Sequence, residues 1–101
     1  MSVLVVTAFP EPEHRAEVVS VLETAITRVH QEPGLELYAL HEGPDRLVMI
    51  EKYESEEARA QHLKGEPLAD LLAALDGKLS GPLDVQQLEP HPCGDPQKGG
   101  L

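Results

Sequence analysis

The side chains best suited to proton transfer are a histidine and a glutamate eleven positions apart. His62 falls on one face of a short helical segment together with Ala58, four residues earlier. Glu51 shares the strand parity of Met49 and Tyr53, so we expect the three side chains to point to the same face. A neutral imidazole suits a general base near neutral pH, and a carboxylate can partner it or bind a substrate hydroxyl. His62 and Glu51 are therefore the candidate catalytic residues.

Aromatic side chains are scarce enough that each is a candidate for binding a ring. The chain has no Trp, one Phe (Phe9) and two Tyr (Tyr38 and Tyr53). These three are the candidate substrate-binding residues, because they can form the wall of a pocket or stack on a ring. Structural roles stay open as well. The tyrosines could be core or dimer-interface anchors, His62 could bond a backbone carbonyl, and Glu51 could pair with a basic residue of a neighbouring strand.

Hydrophobic spacing predicts the elements that must position these residues. Strands are expected at 3–9, 35–41, 46–54 and about 78–88, and helices at about 13–31, after Ser55, and at 68–75. Pro33-Gly34 ends the first helix, and Gly43-Pro44-Asp45 reverses the chain between the two central strands. Ser55 is a good N-cap. Gly81-Pro82 argues that the last strand lies at a sheet edge or carries a bulge.

The resulting order, β, α, β, β, α(α), β, is that of the ferredoxin-like split βαβ arrangement, an α+β fold. Its four antiparallel strands carry the helices on one face. Both faces of the hairpin at 35–54 are partly apolar, whereas the outer face of such a sheet in a lone domain is usually hydrophilic. We therefore expect the bare face to meet the same face of a second copy. The domain is predicted to span 1–89, and 90–101 to be a flexible Pro/Gly-rich tail.

Composition excludes several classes of function. The net charge is -10, from 18 acidic and 8 basic residues, which disfavours binding to nucleic acid and to anionic membranes. The N-terminal segment lacks the basic start of a signal peptide, and no apolar run approaches a membrane span, so we expect a cytoplasmic protein. The five histidines lack the spacing of a metal site, and we expect neither a metal nor a cofactor.

Three stretches of the sequence resemble the antibiotic biosynthesis monooxygenase family, whose best known branch is the small quinol monooxygenases. They are E-P-G-L-x-L-Y-x-L-H at 32–41, V-x-x-E-x-Y-E-S-x-E-A at 48–58, and His62-Leu63. The resemblance covers about residues 3–88. It implies a homodimer of ferredoxin-like subunits, a dimeric α/β barrel, with a mostly apolar pocket between sheet and helices. Some members of the family oxygenate phenolic or polyketide aromatics with dioxygen and without a metal or flavin.

The sequence departs from the haem-degrading branch of that family. Those members resemble one another in an Asn on the first strand and a Trp after the third. Here Thr7 occupies the first strand, and the sequence contains neither Asn nor Trp. The resemblance therefore does not extend to haem oxygenation.

Two hypotheses follow from the residues and the resemblance together. In the first, the chain is a cofactor-independent monooxygenase that acts with dioxygen on a small phenolic, quinol or polyketide-like aromatic. His62 is then the base that deprotonates the ring hydroxyl. In the second, it is a non-catalytic dimeric domain that binds a hydrophobic small molecule or has a structural role. An enclosed void lined by His62, Tyr53 and Phe9 would favour the first, and a filled core with His62 packed against backbone would favour the second.

Overall fold

Strands and helices follow one another in the order predicted from the sequence. The computed structural model describes residues 2–101. Its strands are β1 (Val3–Ala8), β2 (Leu35–Glu42), β3 (Leu47–Tyr53) and β4 (Asp84–Leu88), and its helices are α1 (Arg15–Val29), α2 (Glu56–Lys64) and α3 (Glu66–Leu75). A 3-10 turn at Pro12–His14 leads into α1, so the first helix is shorter than the predicted 13–31.

The four strands form one antiparallel sheet in the order β2-β3-β1-β4. This confirms the predicted ferredoxin-like α+β fold. β4 lies at an edge, as the Gly81-Pro82 pair indicated, but it begins only at Asp84. Before it, Leu79 forms a single bridge with Pro10. Pro82 has no N–H to donate to a strand ladder, which explains why β4 does not extend back to residue 78.

Strict alternation along β3 defines the two faces of the sheet. Leu47, Met49, Glu51 and Tyr53 are buried on the inner face, and the residues between them are only partly buried on the outer face. In β2 a register shift between Leu35 and Leu37 breaks the alternation, so Leu35 lies opposite Tyr53, whereas Leu37 lies opposite Lys52. Leu35 therefore faces the core, whereas uninterrupted alternation would place it on the same face as Leu37.

Helix α1 covers the inner face through one apolar stripe. Val18, Leu22, Ala25 and Val29 recur every three or four residues and are buried. They form one core cluster with Tyr38, Leu47, Met49, Leu71 and Leu75. Both the cluster and the site described below lie on the helix-covered side of the sheet.

A glycine just before β2 allows α2 to approach the connection between α1 and β2 closely. Gly34 has a φ of +81°, and a Cβ on it would lie 2.6 Å from the Cβ of Ala58 in α2. Its carbonyl accepts a hydrogen bond from the Glu54 N–H at 2.8 Å. The hydroxyl of Ser55 accepts from the Ala58 N–H at 3.1 Å, which confirms the predicted N-cap of α2. This close packing brings the α1–β2 connection beside the side chains of α2.

Residues 90–101, all of which the structure describes, form neither a helix nor a strand. The side chain of Asp95 accepts hydrogen bonds from the backbone N–H groups of Gln97 and Lys98 and so closes a turn. The ammonium of Lys52 donates to the main-chain oxygen of Leu101, which places the end of the tail beside β3. The division into a domain and a flexible tail stays a prediction.

Candidate active site

An apolar cavity of about 260 Å³ lies between the inner face of the sheet and helices α2 and α3. Its wall is aliphatic apart from Tyr38, Glu51 and His62. A cavity of about 150 Å³ holds benzene in a protein core, so this one has room for a small aromatic molecule. At its rim the side chains of Leu63, Leu72 and Val85 are 52%, 47% and 59% exposed. The rim is therefore an apolar approach from the surface.

His62 is held by a carboxylate on one side and faces a second carboxylate on the other. The residue is 3% exposed. Its Nδ1 lies 2.8 Å from Oε1 of Glu32, a hydrogen-bond distance. Its Nε2 lies 4.0 Å from Oε1 of Glu51, too far for a direct hydrogen bond. A hydroxyl or a water molecule placed between Nε2 and Glu51 could bridge this gap.

Glu51 is a buried carboxyl with one protein donor. The Tyr53 hydroxyl donates to its Oε1 at 2.7 Å, and the residue is 4% exposed. Burial raises the pKa of Glu51, because a charged carboxylate loses hydration there; the nearby Glu32 charge acts in the same direction. The Tyr53 hydrogen bond and the charge of His62 oppose the increase in pKa. Glu51 therefore keeps its proton to a higher pH than an exposed glutamate does.

The two tyrosines enclose the His62 ring. The centroids of the Tyr38 and Tyr53 rings each lie 5.5 Å from that of His62, at interplanar angles of 63° and 37°. Burial, followed by the charge of Glu51, raises the pKa of both phenols well above the ordinary value. Both tyrosines therefore keep their protons at neutral pH; both rings pack against His62, and Tyr53 donates its hydroxyl proton to Glu51.

The structure brings four of the five sequence-predicted site residues together. His62, Glu51 and Tyr38 line the polar end of the cavity, and Tyr53 contacts both His62 and Glu51 without lining the cavity itself. Phe9 lies elsewhere, with the guanidinium carbon of Arg46 5.1 Å from its ring centroid, and it does not line the cavity. The partner of His62 is a carboxylate and not a backbone carbonyl, and that of Glu51 is Tyr53 and not a basic residue.

Glu32 is the site residue that sequence reasoning missed. It lies in the connection between α1 and β2, thirty positions before His62, and its backbone N–H donates to the Val29 carbonyl at 2.9 Å. The sequence signal that could have found it is Gly34, two residues later. A glycine with positive φ at a close approach between elements indicates that α2 packs against this connection.

The raised pKa of Glu51 predicts how stability depends on pH. A carboxyl whose pKa is higher in the folded state favours folding at acid pH, and this contribution is lost as the pH rises through the folded-state pKa. Glu51→Gln keeps an acceptor for Tyr53 without the charge. We therefore expect Glu51→Gln to raise Tm relative to wild type at pH 7, and to raise it less at pH 4.

Thermal unfolding followed by circular dichroism at both pH values measures this difference. Glu57→Gln, at an exposed position of α2, is the matched control and is expected to change Tm equally at both pH values. A Glu51→Gln variant that is less stable than wild type at pH 7 and unchanged at pH 4 would contradict the assigned burial effect.

The described residues contain neither a metal-binding cluster nor a membrane-spanning helix. Within residues 2–101, no group of three or more His, Cys, Asp or Glu side chains is placed to hold a metal ion. No helix in that range is long and apolar enough to cross a membrane.

The fold and site together define a class of protein: a ferredoxin-like α+β domain with an apolar cavity that is closed at one end by a histidine and a glutamate. The family model for antibiotic biosynthesis monooxygenase matches residues 1–74. The chain therefore belongs to the antibiotic biosynthesis monooxygenase family. A search of curated proteins finds no match.

Solved structures show the same fold over nearly the whole chain. Rv0793 from Mycobacterium tuberculosis is 25% identical, with a TM-score of 0.85 over 93% of this chain and 98% of that one. A protein described as an antibiotic biosynthesis monooxygenase is 21% identical, with a TM-score of 0.84 over 91% and 100%. PA3566 from Pseudomonas aeruginosa is 21% identical, with a TM-score of 0.78 over 86% and 90%. At this identity the last two support the fold alone.

Proposed function

We propose that the chain is a cofactor-independent monooxygenase that uses dioxygen to oxygenate a small phenolic, quinol or polyketide-like aromatic. Membership of the monooxygenase family supports the reaction class. The observation that carries the proposal is the apolar cavity of about 260 Å³ with ionisable groups, His62 and Glu51, at one end. Such a cavity suits a ligand with an apolar ring body and a hydroxyl at one end.

In this proposal the ligand hydroxyl lies between Nε2 of His62 and Glu51. The 4.0 Å gap between these groups is long enough to admit an oxygen atom that hydrogen-bonds to both. Nε2 takes the hydroxyl proton, and the aliphatic wall keeps bulk water from the resulting anion. The Tyr38 ring forms the wall of the cavity next to His62.

In the proposed reaction the organic substrate supplies all the electrons that reduce dioxygen. The phenolate passes one electron to dioxygen, and the two radicals combine to form a carbon–oxygen bond and a peroxide anion. His62 returns the proton to the peroxide. Loss of a ring proton and cleavage of the O–O bond then release water and leave a carbonyl. One oxygen atom enters the product and the other enters water, while the substrate gives up four electrons in total.

Oxygen uptake with a panel of quinols and anthrones tests this proposal. The wild-type chain is expected to accelerate uptake with at least one member of the panel, and His62→Ala is not. Equal, background-level uptake by both proteins across the panel would refute the enzymatic function.

One observation favours a second candidate function, ligand binding without chemistry. Among the described side chains, no fully buried polar atom lacks a hydrogen-bond partner: the Glu51 carboxyl accepts from Tyr53 and Nδ1 of His62 bonds Glu32, while Nε2 faces the cavity. The polar end of the cavity is thus stable without a substrate. A phenol that binds at the cavity and stays unoxidised in air would support this second function over the first.

We also propose that two copies pair through the outer face of the sheet. Ile50 lies there between Val5 of β1 and Ala39 of β2, so the centre of the face is apolar. We expect light scattering after size exclusion to show a dimer for wild type. Ile50→Lys should weaken dimerisation at least about tenfold, because in a two-fold interface the buried charge occurs on both sides.

The matched control for this experiment is Thr24→Lys, which adds the same side chain to the exposed face of α1. It should leave the dimer unchanged. A wild-type chain that is monomeric at micromolar concentration would refute the pairing.

A further inference from the structure

The His62 ring lies between two openings of different character. On one side is the apolar cavity described above. On the other is a surface cleft of about 530 Å³, lined by residues of the α1–β2 connection, of α2 and of the turn before it. His62 lines both. Its two ring nitrogens therefore serve different environments, Nε2 the cavity end with Glu51, and Nδ1 the cleft side with Glu32.

The polarity of the cleft is set by carboxylates. Glu32, Glu54 and Glu57 all line it, and the Glu32 side chain is 20% exposed. Among the described residues, no lysine or arginine contributes to its lining. Glu32 is thus hydrated from the cleft while its Oε1 lies 2.8 Å from Nδ1. At that distance a carboxylate accepts a hydrogen bond, so the proton of a neutral ring must be on Nδ1.

We infer that Glu32 is a positioning residue that fixes the tautomer of His62, with the proton on Nδ1 and the free lone pair on Nε2 toward the cavity. A free imidazole in water favours the opposite tautomer, with the proton on Nε2, which could not accept a proton from a ligand in the cavity. The Glu32 charge also stabilises the imidazolium that forms once Nε2 has accepted a proton. The role in catalysis rests on the proposed function, whereas the tautomer itself does not.

The other groups around the ring cannot set the tautomer. The Tyr38 ring contacts it in an edge arrangement and the Tyr53 ring in a tilted one, and the Tyr53 hydroxyl is already donated to Glu51. Glu51 is 4.0 Å from Nε2, beyond hydrogen-bond distance. Within the described residues, the hydrogen-bond partner of the His62 ring is Glu32, at Nδ1.

Nitrogen-15 NMR of the histidine side chains tests the inference without any substrate. At alkaline pH, where imidazoles are neutral, the spectrum distinguishes the protonated nitrogen from the one with the lone pair. Comparison with His62→Gln identifies the His62 signals. We expect the proton on Nδ1 in wild type and in Glu32→Gln, which keeps an acceptor, and a shift to mainly Nε2 in Glu32→Ala. Glu57→Ala, which removes a cleft carboxylate that does not touch the ring, should leave the tautomer unchanged.

A wild-type ring protonated on Nε2, or a Glu32→Ala spectrum like that of wild type, would overturn the inference. If Glu32→Ala fails to fold, the His62 tautomer in wild type and in Glu32→Gln still tests the inference. These results hold whether or not the protein is an oxygenase. Where oxygen uptake is found, Glu32→Ala should lower kcat at least about tenfold with KM within twofold of wild type, because fewer molecules hold the base in its working tautomer.

Discussion

Oxygen uptake supported by the wild-type protein is expected to fall at least about 100-fold in His62→Ala, since a positioned general base contributes roughly 10² to 10⁴ in rate. The reason is geometric: Nε2 of His62 faces Glu51 at the polar end of the cavity. The tyrosines beside it keep their protons and cannot replace it, because burial raises the pKa of each phenol. An oxygen electrode with an anthrone as substrate measures the effect.

Two controls separate chemistry from folding in this experiment. His62→Gln retains most of the side-chain volume and should be as inactive as His62→Ala. His14→Ala removes a histidine that bonds the exposed Glu17 and should keep wild-type activity. Uptake in His62→Gln within about threefold of wild type would exclude His62 as the base.

Filling the cavity should weaken ligand binding while leaving the fold in place. Val6 lies in the middle of β1 on the inner face, opposite Met49 and Val85, and lines the cavity. Val6→Phe places a ring in space that the ligand would occupy. We expect the Kd for a small phenol to rise at least about tenfold, because the displaced ligand loses about 1.4 kcal/mol or more of contact. Isothermal titration calorimetry measures it.

Val6→Phe should lower the free energy of unfolding only slightly. Overpacking a filled core destabilises by about 1–3 kcal/mol, but here the ring enters an existing void. Val21→Phe is the matched control, since it adds the same side chain to a groove between α1 and α3 outside the cavity. Unchanged phenol affinity in Val6→Phe would show that the ligand does not bind in the cavity.

The fold could be predicted because its signals are local. Alternation along β3 placed Glu51 with Met49 and Tyr53 on the buried face, and the structure has them there. The predicted N-cap at Ser55 followed from residue type alone. The bulge after Leu35 could not be predicted, since an extra residue in one strand leaves no distinct residue type behind.

Site residues could be predicted only where strand parity or helix face decides the direction in which a side chain points. Phe9 has the parity of Thr7 and not of Val6 and Ala8, so alternation along β1 already directs it away from the cavity. Gly34 indicates that another element approaches the connection that contains Glu32, but it does not single out Glu32 as the partner of His62. The contact of Glu32 with His62 depends on how α2 packs against a connection thirty residues earlier. The distance between two residues so far apart in the sequence is set by the tertiary fold.

The most direct test of the central claim is an anaerobic titration of the protein with an anthrone, followed by visible absorbance. Without oxygen the reaction stops after the proton transfer, and the anthrone anion absorbs at longer wavelength than the neutral molecule. We predict that the anion band appears on binding to wild type at neutral pH and not on binding to His62→Ala. A bound anthrone that stays neutral in wild type, or an equally strong anion band in His62→Ala, would contradict the claim that His62 deprotonates a ligand in this cavity.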